Sequence, residues 1–216
     1  MKLHQRRRIL SLFAAVGTAV ALSWAAPAAS RAESSAATDV VGRFHEALLD
    51  VMKKSSELGY EGRYDTLSPV LDETFDSLFM AQKSVGREWK KMSPQEQRRL
   101  LDTIERYTIA NYAGRFQGYA GEQFETMGEE ESLHGTTLVR TKLIIPDEDD
   151  VHLDYRLRAK AGDWKIIDIY LDGTVSELAL RRAQYSPLIK REGLDALIAA
   201  IDEKVGKLAA GKVSEL

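Results

Sequence analysis

Residues 139–171, VRTKLIIPDEDDVHLDYRLRAKAGDWKIIDIYL, switch the apolar period of the chain from 3.6 to 2. Val139, Thr141, Leu143 and Ile145 alternate with Arg140, Lys142 and Ile144. After the acidic turn Asp147 to Asp150, Val151, Leu153, Tyr155 and Leu157 alternate with His152, Asp154, Arg156 and Arg158. Successive strand side chains point to opposite faces, so the pattern predicts an antiparallel hairpin with one dry face. Ala161-Gly162-Asp163 makes the next turn, and residues 164–171 form a strand apolar on nearly both sides. Phe124 and Met127 belong to a weaker strand ahead of the hairpin.

Helical spacing flanks this block. Residues 38–117 read as helices: Val41, Phe44, Leu48, Val51 and Met52 follow a Thr38 or Asp39 cap, with Gly59 as a stop. Residues 60–73, containing Ser68-Pro69, read as a turn-rich connection. A shorter helix holds Phe75, Leu78, Phe79 and Val85 before Gly86. Ser93-Pro94-Gln95-Glu96 combines a Ser cap, Pro at the first helical position and Glu at the third, the signature of a capping box. The helix it opens carries Leu101, Ile104, Thr108, Tyr112 and Phe116. Beyond Gly173 the helical period returns, first through Val175, Leu178, Arg182 and Tyr185, then through Leu194, Leu197, Ile198, Ile201, Val205 and Leu208. The expected class is α+β: a curved four-stranded antiparallel sheet packed with N-terminal and C-terminal helices. Strong curvature would leave a hydrophobic cavity on the concave side.

Composition narrows the function. The chain has 216 residues, 44% of them apolar, with a formal net charge of −3 and no cysteine. Disulfide frameworks, zinc ribbons and thiol nucleophiles are excluded, and so weak a net charge does not suggest a nucleic-acid binder. The charge is unevenly spread. Residues 1–32 carry Lys2, Arg6, Arg7, Arg8 and Arg31 with no acid, leaving 25 basic against 33 acidic residues, a balance of −8, for the remainder. A basic start, an apolar run from Ile9 to Trp24 and small residues around Ala28 and Ala32 read as a secretory signal peptide, with cleavage expected after Ala32 or Ala28. Arg6-Arg7-Arg8 also loosely fits twin-arginine export; the general route is favoured. One domain over residues 33–216 is expected to be exported to the periplasm.

No visible catalytic machinery follows. His45, His134 and His152 form no metal-ligand spacing and read as ordinary surface or boundary histidines. No nucleophile elbow, phosphate loop or dinucleotide fingerprint occurs. Asp147 to Asp150 fail the calcium-loop pattern because position six would be His152. No cofactor or metal is expected.

The most distinctive stretch is Trp164-Lys165-Ile166-Ile167-Asp168, then Asp172-Gly173-Thr174-Val175-Ser176, then Arg181-Arg182-Ala183-Gln184-Tyr185. It resembles the MlaC, or toluene-tolerance, family of periplasmic lipid carriers, with a tryptophan-led strand, an acidic-glycine turn into Ser, and an arginine-rich helix ending in Gln and an aromatic. Val85-Gly86-Arg87-Glu88-Trp89 and residues 112–119 extend the likeness, and the wording of residues 172–178 and 191–197 is similar to its hopanoid-associated HpnM branch. The resemblance implies a non-enzymatic shuttle for phospholipid or hopanoid-like lipid between inner- and outer-membrane complexes of an ABC-type transport system. Lipid-lining candidates are then Val139, Leu143, Leu153, Tyr155, Leu157, Ile167, Ile169 and Leu171 by strand parity, with Phe79, Trp89, Tyr112, Leu178 and Tyr185 from the helices. Arg181 or Arg182 could neutralise a phosphate at the cavity mouth. Burying an acyl chain of about 16 methylenes is worth about 12 kcal/mol, so such a carrier would release cargo by docking rather than into water. Two other classes remain open: an enzyme using His134 or Asp168 as a lone acid or base, and an interaction module with a filled core.

Overall fold

The computed structural model describes residues 35–212; the expected signal segment, residues 1–32, lies outside them. Helix α1 (Ala36–Lys53) starts earlier than the Thr38 or Asp39 cap expected, because the Ser35 side chain accepts the Thr38 N–H. Next come α2 (Ser55–Thr74), α3 (Ser77–Val85), a 3-10 segment (Gly86–Lys91) and α4 (Pro94–Arg115). Strands β1 (Gln123–Ser132), β2 (Thr136–Ile144), β3 (Val151–Lys160), β4 (Asp163–Leu171) and β5 (Val175–Ser176) lead into α5 (Glu177–Ala209).

Three local expectations are corrected. Residues 60–73 belong to α2, although Pro69 removes a backbone donor from its interior. The helix buries Arg63, Leu67, Leu71 and Thr74 at helical spacing. Two of those four are polar, so no apolar stripe advertises the helix. Arg63 is anchored by donating to the Ala113 carbonyl at 2.8 Å. Gly59, at φ 61° and ψ −169°, kinks α2 instead of ending α1. Val175 pairs with Leu171 as a fifth strand, and α5 begins only after Ser176, whose side chain accepts the Ala179 N–H. A break at Gly193 divides α5 where the two apolar segments were expected to meet.

At the start of α4 the capping box is complete: Ser93 Oγ accepts the Glu96 N–H at 3.3 Å, and the Glu96 carboxylate accepts the Ser93 N–H at 2.8 Å. Ser93→Ala is expected to remove about 1 kcal/mol of stability, read as a lower denaturation midpoint at unchanged slope.

The strands form an antiparallel meander in the order β1-β2-β3-β4-β5. Val139 opposes Tyr155, and Tyr155 opposes Ile169. A bulge interrupts this register: Arg156 faces Asp168 but Leu157 faces Ile166, which leaves Ile167 as the extra residue. Ile166 and Ile169 therefore share the inner face, against simple parity. One core packs that face on α1, α2 and α4 through Phe44, Leu48, Leu67, Leu71, Val139, Leu157 and Ile166. A second, helical core joins α3, α4 and α5 through Val85, Leu100, Ile104, Tyr185, Leu197 and Ile201.

Asp76 ties the helices to the sheet. Only 2% exposed, it accepts hydrogen bonds from Arg158 Nε at 2.8 Å, Lys160 Nζ at 3.0 Å and the Phe79 N–H at 3.3 Å. Burial works against its charge, but the bonds from Lys160, Arg158 and Phe79 outweigh it and hold the carboxyl below its ordinary value of 3.8. Asp76→Ala removes the shared partner of the half-buried Arg158 and the exposed Lys160 and the cap of the Phe79 N–H, and is expected to cost about 2 kcal/mol in equilibrium unfolding. The anionic form is favoured in the folded state, so this stabilisation is present above pH 3.8 and fades as acid protonates the folded carboxyl.

Candidate functional site

A cavity of about 520 Å³ opens on the inner face of the sheet. Leu143, Ile145, Val151, Leu153, Tyr155, Ile169 and Leu171 form its sheet wall. Met52 of α1, Tyr112 of α4, and Phe116 and Tyr119 in the segment that follows close the other side. The volume falls within the range of about 300–1,000 Å³ usual for ligand sites.

An aromatic chain stiffens the helical wall. Phe44 meets Tyr112 edge-to-face at 4.9 Å and 82°, and Tyr112 lies 5.9 Å from Phe116. Such pairs add to their burial energy and resist rotation. His45 stacks on Phe124 at 3.9 Å and 11°, and its Nε2 lies 3.1 Å from the Tyr155 hydroxyl. Burial lowers the His45 pKa from 6.5 to about 3. It also raises the Tyr112 and Tyr155 hydroxyls above their ordinary value, so at neutral pH this wall carries no charge.

The charged residues of the lining are Arg115, Glu122, Glu177 and the buried Arg181. Arg181, 8% exposed, donates to Thr108 Oγ1 at 3.3 Å, lies 3.5 Å from Glu177 and covers the Tyr107 ring at 5.2 Å. Its Nε is buried with no acceptor among the described residues. Burial works against its charge, but Tyr185 and Glu177 outweigh burial and keep its pKa above the ordinary arginine value.

The sequence candidates divide three ways. Tyr112, Leu143, Leu153, Tyr155, Ile169, Leu171 and Arg181 line the cavity. Phe79, Ile167, Leu178 and Arg182 line a separate groove on the reverse face of the sheet. Val139 and Leu157 are fully buried core, Tyr185 sits in the helical core, and Trp89 packs at that core's edge. The bulge moves Ile167 away from Ile169. Because adjacent helical residues are about 100° apart, Arg181 and Arg182 reach different faces.

Sequence reasoning missed Met52, Phe116, Tyr119, Ile145 and Val151. The last two continue the dry parity of their strands to the hairpin tip, so the signal was present. His45 is a further correction: 5% exposed, it belongs to the core instead of a surface or boundary. It lies four residues after Val41 and three before Leu48, on the apolar stripe of α1. Asp168, weighed as a lone acid or base, is engaged structurally: it accepts the Ile169 N–H at 2.8 Å, the Leu178 N–H at 3.0 Å and the Ser176 hydroxyl at 2.6 Å. It anchors the start of α5.

Comparison with known proteins places this geometry in context. The family model described as MlaC protein matches residues 43–203. Among solved structures, a phospholipid-binding protein from Ralstonia solanacearum, determined in complex with a phospholipid, shares the fold with a TM-score of 0.70 and 21% sequence identity. The match covers 80% of this chain and 98% of that one. No curated protein matches the chain.

Proposed function

Because the chain belongs to the MlaC family, whose model spans residues 43–203, we propose that it is a lipid carrier holding an acyl chain between α1, α4 and the concave face of the sheet. The observation that carries this reading is the 520 Å³ cavity, mostly apolar, whose lining also includes the Arg115 and Arg181 guanidinium groups. The phospholipid in the Ralstonia solanacearum relative supports it. A filled interaction module would have no use for such a space, and the hydrogen bonds of Asp168 argue for a binding protein over an enzyme.

The cargo is a phospholipid or a hopanoid-like lipid. Its carrier works in the periplasm after loss of residues 1–32 and passes it between membrane-bound complexes of an ABC-type system. Energetics support transfer by docking: at about 0.8 kcal/mol per buried methylene, release of a long chain into water would be very slow. Mass spectrometry of lipid extracted from mildly purified protein tests the reading and identifies the cargo. Stoichiometric phospholipid or hopanoid-like lipid is expected. Repeated recovery without lipid, together with no uptake on incubation with vesicles, would overturn the proposal.

A further inference from the structure

We propose that the reverse face of the sheet carries a second binding site, for a phosphate group, formed by Lys83, Arg156 and Arg182. These residues line a groove of about 750 Å³ between β3, β4, the turn at residues 133–136 and the facing sides of α3 and α5. The acyl cavity does not reach it: Ile169 and Arg181 face the cavity, whereas Ile167 and Arg182 face the groove. The inference does not depend on what the cavity holds.

Arg156 supplies the first argument. Its guanidinium lies 5.1 Å from the Tyr170 ring centroid, and its Nε is buried with no hydrogen-bond acceptor among the described residues. A buried donor without an acceptor forfeits its bond to water, and a small shift of the side chain toward an anion in the groove would restore one.

The groove's charges supply the second. Arg158 also lines it but shares the Asp76 carboxylate with Lys160, and the groove's own carboxylate, Asp168, stays charged while its oxygens are engaged by two backbone N–H groups and Ser176. Lys83, Arg156 and Arg182 have no ion-pair partner among the described residues. Three cations without an ion-pair partner thus line one depression against a single carboxylate, Asp168, a positive balance of two in a chain that is acidic beyond residue 32.

The third argument is preorganisation. Lys83 Nζ lies 5.1 Å and Arg158 Cζ 4.4 Å from the Phe79 ring centroid, so the aromatic floor holds cations at the groove before any ligand arrives. Guanidinium forks match phosphate oxygens in pairs. Beside them Leu133, 74% exposed, projects from a turn in which His134 takes φ 62°. An apolar rim next to a basic floor suits the phosphate of an amphiphile, and the same floor would take a soluble phosphate.

Two probes distinguish these sources: sedimentation with vesicles of phosphatidylcholine with or without phosphatidylglycerol, and calorimetric titration with inorganic phosphate. The chain is expected to bind at least one, more weakly as salt rises, and about tenfold more weakly in Arg182→Glu and in Arg156→Gln. Binding to anionic vesicles alone assigns the site to a lipid headgroup; binding to inorganic phosphate assigns it to a soluble phosphate compound. Arg182 is exposed, so its variant should melt as the wild type does and keep its co-purified lipid. Failure of the carrier reading would instead appear as missing lipid in the wild type. No binding of either probe by the wild type, or undiminished binding by a folded Arg182→Glu variant, would overturn the proposal.

Discussion

A Leu153→Trp variant is expected to come through purification without lipid while keeping its fold. Leu153 is only half-buried and faces the cavity beside Tyr155 and Ile169, so the indole has space to enter and the core around Phe44 and Leu157 need not move. Overpacking a closed core costs about 1–3 kcal/mol, and a side chain growing into an open volume should lie at or below the low end. Cargo feels the change more strongly. Each methylene excluded forfeits about 0.8 kcal/mol, so losing even four weakens retention by about 3 kcal/mol, roughly two hundredfold. Ile144→Trp, half-buried like Leu153 but outside the cavity lining, is the matched control and should retain cargo. Lipid at the wild-type level in a folded Leu153→Trp protein would mean that the acyl chain lies elsewhere.

The second large effect is the acid sensitivity of His45. Folded, its pKa is about 3; unfolded, it is expected near the ordinary 6.5. Below pH 6.5 the unfolded chain therefore takes up a proton that the folded chain excludes, and stability falls with pH by about 1.4 kcal/mol per unit. The loss runs from 6.5 to about 3 and accumulates to about 5 kcal/mol; above 6.5 this residue adds no slope. Asp76 adds its own loss below its ordinary 3.8, at the acid end of the same range. His45→Gln keeps a polar head near the Tyr155 hydroxyl but cannot titrate. Denaturant unfolding of both proteins from neutral pH to about 4 should show their stability difference shifting toward the variant as pH falls through 6.5. Parallel curves would contradict the buried, uncharged state of His45.

Much of the fold was legible because local signals agreed with tertiary packing. The alternation in residues 139–157 became β2 and β3, and Ser93 to Glu96 became a complete capping box. The signals that failed share a physical cause: partners distant in sequence decided the outcome. Pro69 and the polar members of the α2 stripe hid a helix that Leu67, Leu71 and the Arg63 bond to Ala113 hold in place. A bulge opposite Arg156 and Leu157 reassigned Ile167 to the other face, and nothing in the alternation of residues 164–171 marks it. The candidate site was legible to the same degree. Strand parity found Leu143, Leu153 and Tyr155, whose faces follow from period 2 alone. Parity could not separate Val139 and Leu157, under the helices, from residues nearer the open end. Arg181 and Arg182 were indistinguishable by residue type, and only the docking of α5 gives one to the cavity and the other to the groove.

The central claim is that the inner apolar volume shelters an acyl chain. A crystal structure of the protein purified with its natural cargo tests it most directly. The account predicts continuous hydrocarbon density bounded by Tyr112, Leu153, Tyr155 and Ile169, with the polar end toward Arg181. A cavity that closes around its own side chains, or an acyl chain lying against Phe79 and Leu178 on the opposite face, would contradict it.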